Sequence, residues 1–182
     1  MIRSMPILIG ALLLAYASGC GALQTGGRDA REQTVRYLLA TAKGFRTVYT
    51  QGVVEQARRA GITSKEEWTK EDHAIMLPAQ FIKAVGFEIK EYELGLIGLT
   101  PIYKTNLPKT TAEEEALRKF IADPSLQVLT FTDGSQVKGL APDYATIQSC
   151  ADCHNAHPQS PKKDFRQGDL MGAIVVRLGE KP

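Results

Sequence analysis

Apolar side chains recur every three or four positions through the chain that follows its N-terminal leader. The series comprises Val35, Leu38, Leu39, Ala42, Phe45, Tyr49, Val53 and Ala57. This spacing lies on one face of an α-helix and predicts a long helix over residues 29–60. Gly61 is typical of a helix C-terminus. The predicted length exceeds the diameter of a small domain, which is compatible with a homodimer.

Shorter patterns predict the helices that follow. Three helices are indicated by N-terminal capping residues, by proline in a first turn or by acidic residues there. They are a short helix opened by Ser64 and Glu67, a second from Pro78 to Gly86, and a third from Thr110 to Asp123.

Alternating apolar and polar positions predict the strands. Residues 87–101 alternate partially and are expected to be extended. Residues 126–142 have the pattern of a β-hairpin that turns at Asp133–Gly134. Residues 171–178 are predicted to form a final buried strand. The fold class expected from these elements is α+β, with an antiparallel sheet.

Composition limits the number of domains and the partners. The 182 residues suffice for one domain with a core. Lys and Arg total 22 against 20 acidic residues, whereas nucleic-acid-binding domains usually have a clear basic excess. No nucleic-acid partner is therefore expected.

The N-terminus has the organisation of an export signal. Arg3 precedes an apolar stretch over residues 7–17, which is too short to suit a bilayer span. Small residues lead into Cys20, as in bacterial lipoproteins, although Ala17 stands where leucine is usual. The pattern predicts residues 1–19 as a lipoprotein signal peptide and Cys20 as the lipidated residue.

An exported lipoprotein works on the periplasmic side of a bacterial membrane. Gly21 follows the cysteine, where an aspartate would indicate inner-membrane retention, so the outer membrane is favoured. Residues 20–28 are Gly-rich without apolar periodicity and predict a flexible tether. The domain then covers residues 29–182. A plain secretory signal cut nearby and an uncleaved anchor are the alternatives.

Two of the three cysteines and two of the three histidines fall between Ser149 and Gln159. Within this run, Cys150, Cys153 and His154 form C-x-x-C-H, the attachment signature of a c-type haem. Thiols one helical turn apart can bond two vinyl groups at one edge of a porphyrin, and the next imidazole can bind the iron. The motif therefore predicts one covalent haem c, with His154 as an axial ligand.

Other uses of these residues are less suitable. A tetrahedral zinc ion would have to take both Cys153 and the adjacent His154, and the chain has no second knuckle. A redox dithiol lacks a thioredoxin-like context. A disulfide between Cys150 and Cys153 would close a strained loop.

Residues 150–176 resemble the C-terminal half of the haem-c PAS-like domains, the Tll0287-like family. After C-x-x-C-H come His-Pro, Ser-Pro-Lys, an aromatic residue and Gly-Asp before a strand. Residues 77–85, residues 100–117 and the hairpin are also similar to that family. The resemblance implies a PAS-like antiparallel sheet with a long N-terminal helix, short flanking helices and one haem. The family includes free-standing periplasmic proteins and the sensing modules of kinases and chemotaxis receptors.

The sixth iron ligand has several candidates once the cysteines are assigned. His73 and Met76 are distant in sequence from the motif and could approach the opposite face of the haem. His157 follows His154 too closely to reach that face. Met171 is expected to pack near the porphyrin, and a tyrosine or water remains open.

Polar residues near the motif are candidates for the rim of the haem site. Lys162, Lys163 and Arg166 follow the motif, and any of them could neutralise a haem propionate. Tyr103 and Asn106 are candidates for hydrogen bonds near the pocket.

The sequence favours a carrier over an enzyme. It contains no nucleophile–base constellation, phosphate loop or carboxylate pair. It also contains no kinase or receptor segment, so we expect electron transfer with a redox partner protein. The alternative is sensing of redox state or a diatomic gas, relayed through a signalling partner. A stable axial pair would suit the first role, and an open sixth position the second.

Overall fold

This computed structural model describes residues 20–179, which form five α-helices and six strands joined by turns and short 3-10 and π-helical segments. The α-helices are α1 (Cys20–Val48), α2 (Glu55–Arg59), α3 (Pro78–Glu88), α4 (Thr111–Ala122) and α5 (Gln148–Ala156). The strands are β1 (Thr63–Lys65), β2 (Ala74–Met76), β3 (Glu93–Ile97), β4 (Leu129–Asp133), β5 (Gln136–Tyr144) and β6 (Leu170–Leu178). A π-helical segment, Tyr49–Val54, joins α1 to α2.

Four of the strands form one antiparallel sheet in the order β3-β6-β5-β4. The two long strands β5 and β6 lie in the middle, and most of their residues are buried. The short strands β1 and β2 pair in parallel as a separate two-stranded unit. The molecule therefore has the predicted α+β class, with an antiparallel sheet flanked by helices.

Helix α1 packs along the sheet through the predicted apolar face. Val35, Leu39 and Ala42 are buried against residues of β5 and β6, including Val137 and Ile174. The approach is closest at Gly139 of β5, where an added Cβ would lie 2.4 Å from a methyl group of Val35. Across residues 20–179, no helix has both the length and the apolar character needed to cross a bilayer.

The first helix differs from its predicted bounds at both ends. It begins at Cys20 instead of residue 29, so residues 20–28, predicted as a tether, are helical. Extending a formed helix fixes one residue per added hydrogen bond, which makes such an extension inexpensive. Near its C-terminal end the backbone widens into π-helix, which apolar periodicity does not reveal. Gly61 ends the helical region with a φ of 78°, as predicted.

The predicted capping box at Ser64 is wrong. Ser64 lies in β1 opposite Ile75 of β2, and only a short 3-10 helix, Trp68–Lys70, follows it. Parallel pairing with β2, in which Thr63 lies opposite Ala74, outweighs the local capping signal. The other two predicted helices are present as α3 and α4, and Thr110 caps α4 by accepting from the Glu113 backbone.

The hairpin of β4 and β5 turns one residue later than predicted. Asp133 pairs with Gln136, which leaves Gly134 and Ser135 as a two-residue turn. Gly134 has a φ of 61°, a conformation that glycine adopts without a steric penalty.

A buried ionic cluster lies between α4 and the sheet. The carboxylate of Glu113 accepts two hydrogen bonds from Arg177, at 2.6 and 2.8 Å, and one from Lys138 at 3.0 Å. The backbone N–H of Lys109 donates to it at 2.8 Å. Burial by itself raises the pKa of Glu113, but these hydrogen bonds outweigh it and lower the pKa to about 2. Glu113 is therefore a buried carboxylate that is ionised at neutral pH.

Candidate functional site: a cleft beside the cysteine motif

A cleft of about 410 Å³ opens where β3 and β6 face helices α3 and α5. Its apolar lining includes Leu96 and Ile97 of β3 and Ala173 of β6. Cys153 and His154 reach it from α5. The volume falls within the range of small-molecule and cofactor sites.

Helix α5 places the two thiols one turn apart. Cys150 is half-buried and packs against the apolar cluster of Ala145, Ala151 and Phe165. Cys153 is exposed and lines the cleft, and both cysteines are free thiols. The two sulfur atoms lie one helical turn apart, with Cys153 in the cleft lining and Cys150 against the neighbouring apolar cluster.

The imidazole of His154 is oriented by its own helix. Its Nδ1 lies 3.1 Å from the carbonyl oxygen of Cys150, so Nδ1 carries the proton and donates it. Phe165 meets the ring edge-on, with ring centroids 5.7 Å apart. Burial lowers the pKa of His154, which favours the neutral form. A neutral imidazole with Nδ1 as donor leaves Nε2 free to bind a metal.

Asn155, which the sequence did not single out, fixes the loop behind the motif. Its amide donates to the carbonyl of Phe165 at 2.8 Å and accepts from the Phe165 N–H at 2.9 Å. This pair of hydrogen bonds holds Phe165 in place. Asn155 therefore supports His154 through the aromatic ring that packs against it.

The two predicted distal ligands do not line the cleft. His73 is exposed and has a φ of 57°. Met76 is half-buried in β2, and its carbonyl accepts a hydrogen bond from Tyr49 at 2.8 Å. Met171, Tyr103 and Asn106, which were expected near the pocket, do line it.

A polar group stands at the mouth of the cleft. The Tyr103 hydroxyl donates to Glu66 at 2.9 Å, and Nε2 of His157 lies 3.4 Å from both groups. The hydrogen bond to Glu66, together with burial, raises the pKa of Tyr103. The phenol is therefore protonated at neutral pH and is held by Glu66.

The cations predicted for propionates lie elsewhere, while two unpredicted ones line the cleft. Lys162 pairs with Asp164 at 2.6 Å and stacks over Phe165, and neither Lys162 nor Arg166 lines the cleft. The basic residues in its lining are Lys83 and Arg46. Lys83 lies in the helix predicted from Pro78 to Gly86, but no local sequence pattern marks it as a residue of the cleft.

The comparison with known proteins gives a family. The family model described as Tll0287-like matches residues 25–179. The chain belongs to the Tll0287-like family. The crystal structure of the cyanobacterial heme-protein Tll0287 is similar to it, with a TM-score of 0.45 and 23% sequence identity. That match covers 57% of this chain and 70% of the other. No curated protein matches this Tll0287-like chain.

The geometry of this Tll0287-like domain disfavours a zinc site and a redox dithiol at the motif. Structural zinc requires four protein ligands and catalytic zinc three. Within residues 20–179, no group of three or more His, Cys, Asp or Glu side chains is arranged to hold a metal ion. Burial raises the pKa of Cys153, with smaller contributions from Glu66 and Cys150, whereas a reactive dithiol needs a lowered one.

Proposed function

We propose that this protein binds one haem c covalently and acts in electron transfer, lipid-anchored on the periplasmic side of a bacterial membrane. The observation that carries the proposal is the geometry of α5. It presents the free thiols of Cys150 and Cys153 one turn apart, beside an imidazole whose Nε2 is available. We propose no catalytic role.

The residues of the cleft and of α5 fit an iron porphyrin. Each thiol, of Cys150 and Cys153, would add across one vinyl group: a C–S bond forms, the thiol hydrogen moves to the neighbouring carbon, and no atom is lost. His154 would bind the iron through Nε2, while Nδ1 remains held by the Cys150 carbonyl. The apolar lining would cover the ring faces. A group held there supplies a one-electron Fe(III)/Fe(II) couple.

Mass spectrometry of the full chain tests the covalent attachment. The protein is expressed in a host that matures c-type cytochromes, and we expect the mature mass to include one haem that resists acid extraction. Cys150→Ala with Cys153→Ala should abolish this increase. A mature wild-type chain with the bare polypeptide mass contradicts the proposal.

Cys20→Ser is the matched control, because Cys20 lies outside the motif. This variant should keep covalent haem but appear in the soluble periplasmic fraction, since the proposed lipid is lost. Membrane retention of Cys20→Ser would place the anchor elsewhere.

Residues 1–19, predicted as the signal peptide, lie outside the described residues. The homodimer also stays a prediction.

Sensing of redox state or a diatomic gas through a partner is the second candidate, and one observation favours it. The predicted distal ligands His73 and Met76 do not line the cleft, and the Tyr103 phenol is engaged by Glu66. An iron held by His154 would then keep an exchangeable sixth position unless Met171 fills it.

Absorption spectra separate these two roles. The purified protein is measured oxidised, reduced, and reduced under carbon monoxide. Reduced bands that do not change under the gas favour a filled sixth position and electron transfer, whereas immediate conversion favours sensing. The variants His73→Ala and Met76→Ala should both retain the wild-type spectrum, and a changed spectrum in either would identify a distal ligand that this geometry does not indicate.

A further inference from the structure

One guanidinium in the wall of the cleft is almost completely buried. Arg46 reaches the cleft from α1, and Asp143 reaches it from β5. The side chains of Arg46 and Asp143 are only 12% and 13% exposed. Arg46 donates to the two carboxylate oxygens through Nε at 2.6 Å and Nη2 at 2.8 Å. This bidentate pair leaves the third nitrogen of the guanidinium, Nη1, uncommitted.

Nη1 of Arg46 is buried and has no hydrogen-bond partner among residues 20–179. A buried donor without an acceptor costs about 1–3 kcal/mol, and more when the group is charged. Buried polar groups in native proteins almost always have a partner. Since Asp143 already occupies Nε and Nη2, the acceptor for Nη1 is either ordered water or a group bound in the cleft.

The backbone on both sides of this pair departs from regular structure. The hydroxyl of Thr50 donates to the Arg46 carbonyl at 2.7 Å, just where α1 widens into the π-helix Tyr49–Val54. The pairing of β5 with β6 shifts register between Asp143 and Tyr144. π-Helical turns and β-bulges are concentrated at functional sites, where they redirect side chains. Both irregularities therefore lie next to cleft residues: the π-helix begins three residues after Arg46, and the register shift directly follows Asp143.

We infer that Nη1 of Arg46 donates a charge-assisted hydrogen bond to an anionic acceptor of the ligand held in the cleft. The inference rests on the proposed function. Two sources share this chemistry: a carboxylate of the porphyrin, and a small anion bound at an exchangeable iron position. Asp143 neutralises the guanidinium, so Arg46 acts as a directed donor rather than as a free charge.

Arg46→Lys tests the inference in the full holoprotein. Lysine keeps the positive charge, but its single nitrogen cannot form the two-nitrogen pair with Asp143 and also present a separate donor to the ligand. Two properties are measured: the propionate bending bands in the resonance Raman spectrum, and the Kd of azide for the ferric protein. Arg36→Lys is the matched control, since Arg36 is an exposed residue of the same helix that bonds Thr130.

Each source predicts a different result. A porphyrin carboxylate predicts shifted propionate bands in Arg46→Lys with an unchanged azide Kd. A small anion predicts unchanged bands and an azide Kd weaker by roughly tenfold or more, the loss expected for a hydrogen bond to a charged group. If both properties equal those of Arg36→Lys and the wild type, the inference is overturned, and water satisfies Nη1.

Asp143→Asn is the second variant and covers the case in which Arg46→Lys does not fold. Arg46 then loses its charged partner. The property that changes in Arg46→Lys, either the propionate bands or the azide Kd, should therefore change in Asp143→Asn too. Wild-type values in Asp143→Asn overturn the inference while leaving the haem proposal intact. A wild-type chain without covalent haem overturns both, and the mass measured beforehand distinguishes these outcomes.

Discussion

The carboxylate of Glu113 should contribute more to stability than an ordinary surface acid, and Glu113→Gln tests this. Glu113 is 0% exposed and accepts hydrogen bonds from Arg177, Lys138 and the Lys109 backbone. Glutamine keeps the volume but removes the charge. Lys138 and Arg177 then remain buried with Asp133 and Glu93 as their carboxylate partners.

Two lines of reasoning give the same magnitude for Glu113→Gln. The pKa of Glu113 is about 2 in the folded state against 4.5 for the free side chain. That difference corresponds to roughly 3 kcal/mol at about 1.36 kcal/mol for each pKa unit. Removing one partner of a buried ion pair typically costs about 3–5 kcal/mol. We therefore expect the free energy of unfolding near neutral pH to fall by about 3 kcal/mol.

The pH dependence supplies a second signature of the same group. Because the folded pKa of Glu113 is depressed, its stabilisation is fully present above pH 4.5 and is lost as the pH falls toward about 2. The difference in stability between wild type and Glu113→Gln should shrink over that range. Urea unfolding followed by far-UV circular dichroism at several pH values measures it.

Glu114→Gln is the control for Glu113→Gln. Glu114 is the next residue of α4, but its side chain is 45% exposed and pairs with Arg118 on the surface. It should cost far less than Glu113→Gln. Equal losses in the two variants, or a Glu113→Gln difference that is constant from neutral pH to about pH 2, would refute the reasoning about the buried cluster.

Two further predictions concern packing and the loop behind the motif. Gly139→Ala should destabilise the protein by about 1–3 kcal/mol, because the added Cβ would meet Val35 at 2.4 Å. The control Gly95→Ala, where the nearest neighbour of the added Cβ lies at 3.8 Å, should cost less. Equal urea midpoints for the two variants would argue against close packing at Gly139. Asn155→Ala should cost about 1–3 kcal/mol by leaving the backbone groups of Phe165 unpaired. It should also shift the absorption bands of the holoprotein, and an unchanged spectrum and stability would exclude this supporting role.

Elements with strong local signals could be predicted from the sequence. The apolar series through Val35 and Leu39 indicated the helix that packs on the sheet, and Thr110 indicated the start of α4. The C-x-x-C-H motif marked the segment that forms α5, because its residues lie within five positions. In each case the determining interactions are local, so the sequence carries them.

The cleft depends on contacts that local patterns do not encode. Arg46 and Asp143 are separated by 97 positions, and an arginine on an amphipathic helix is indistinguishable in sequence from a solvated one. His73 and Met76 were expected to reach the opposite face of the haem because they are distant in sequence from the motif, whereas neither lines the cleft.

Helix α1 would have a mechanical consequence if the protein is attached through Cys20, its first helical residue. The segment from Cys20 to Arg31 spans about 16 Å as helix. At its end, the Arg31 guanidinium donates to the Leu178 carbonyl. If Cys20 carries the proposed lipid, this stiff spacer lifts the domain off the bilayer and restricts its tumbling. A partner would then meet a surface whose height and tilt are set by the direction of one helix.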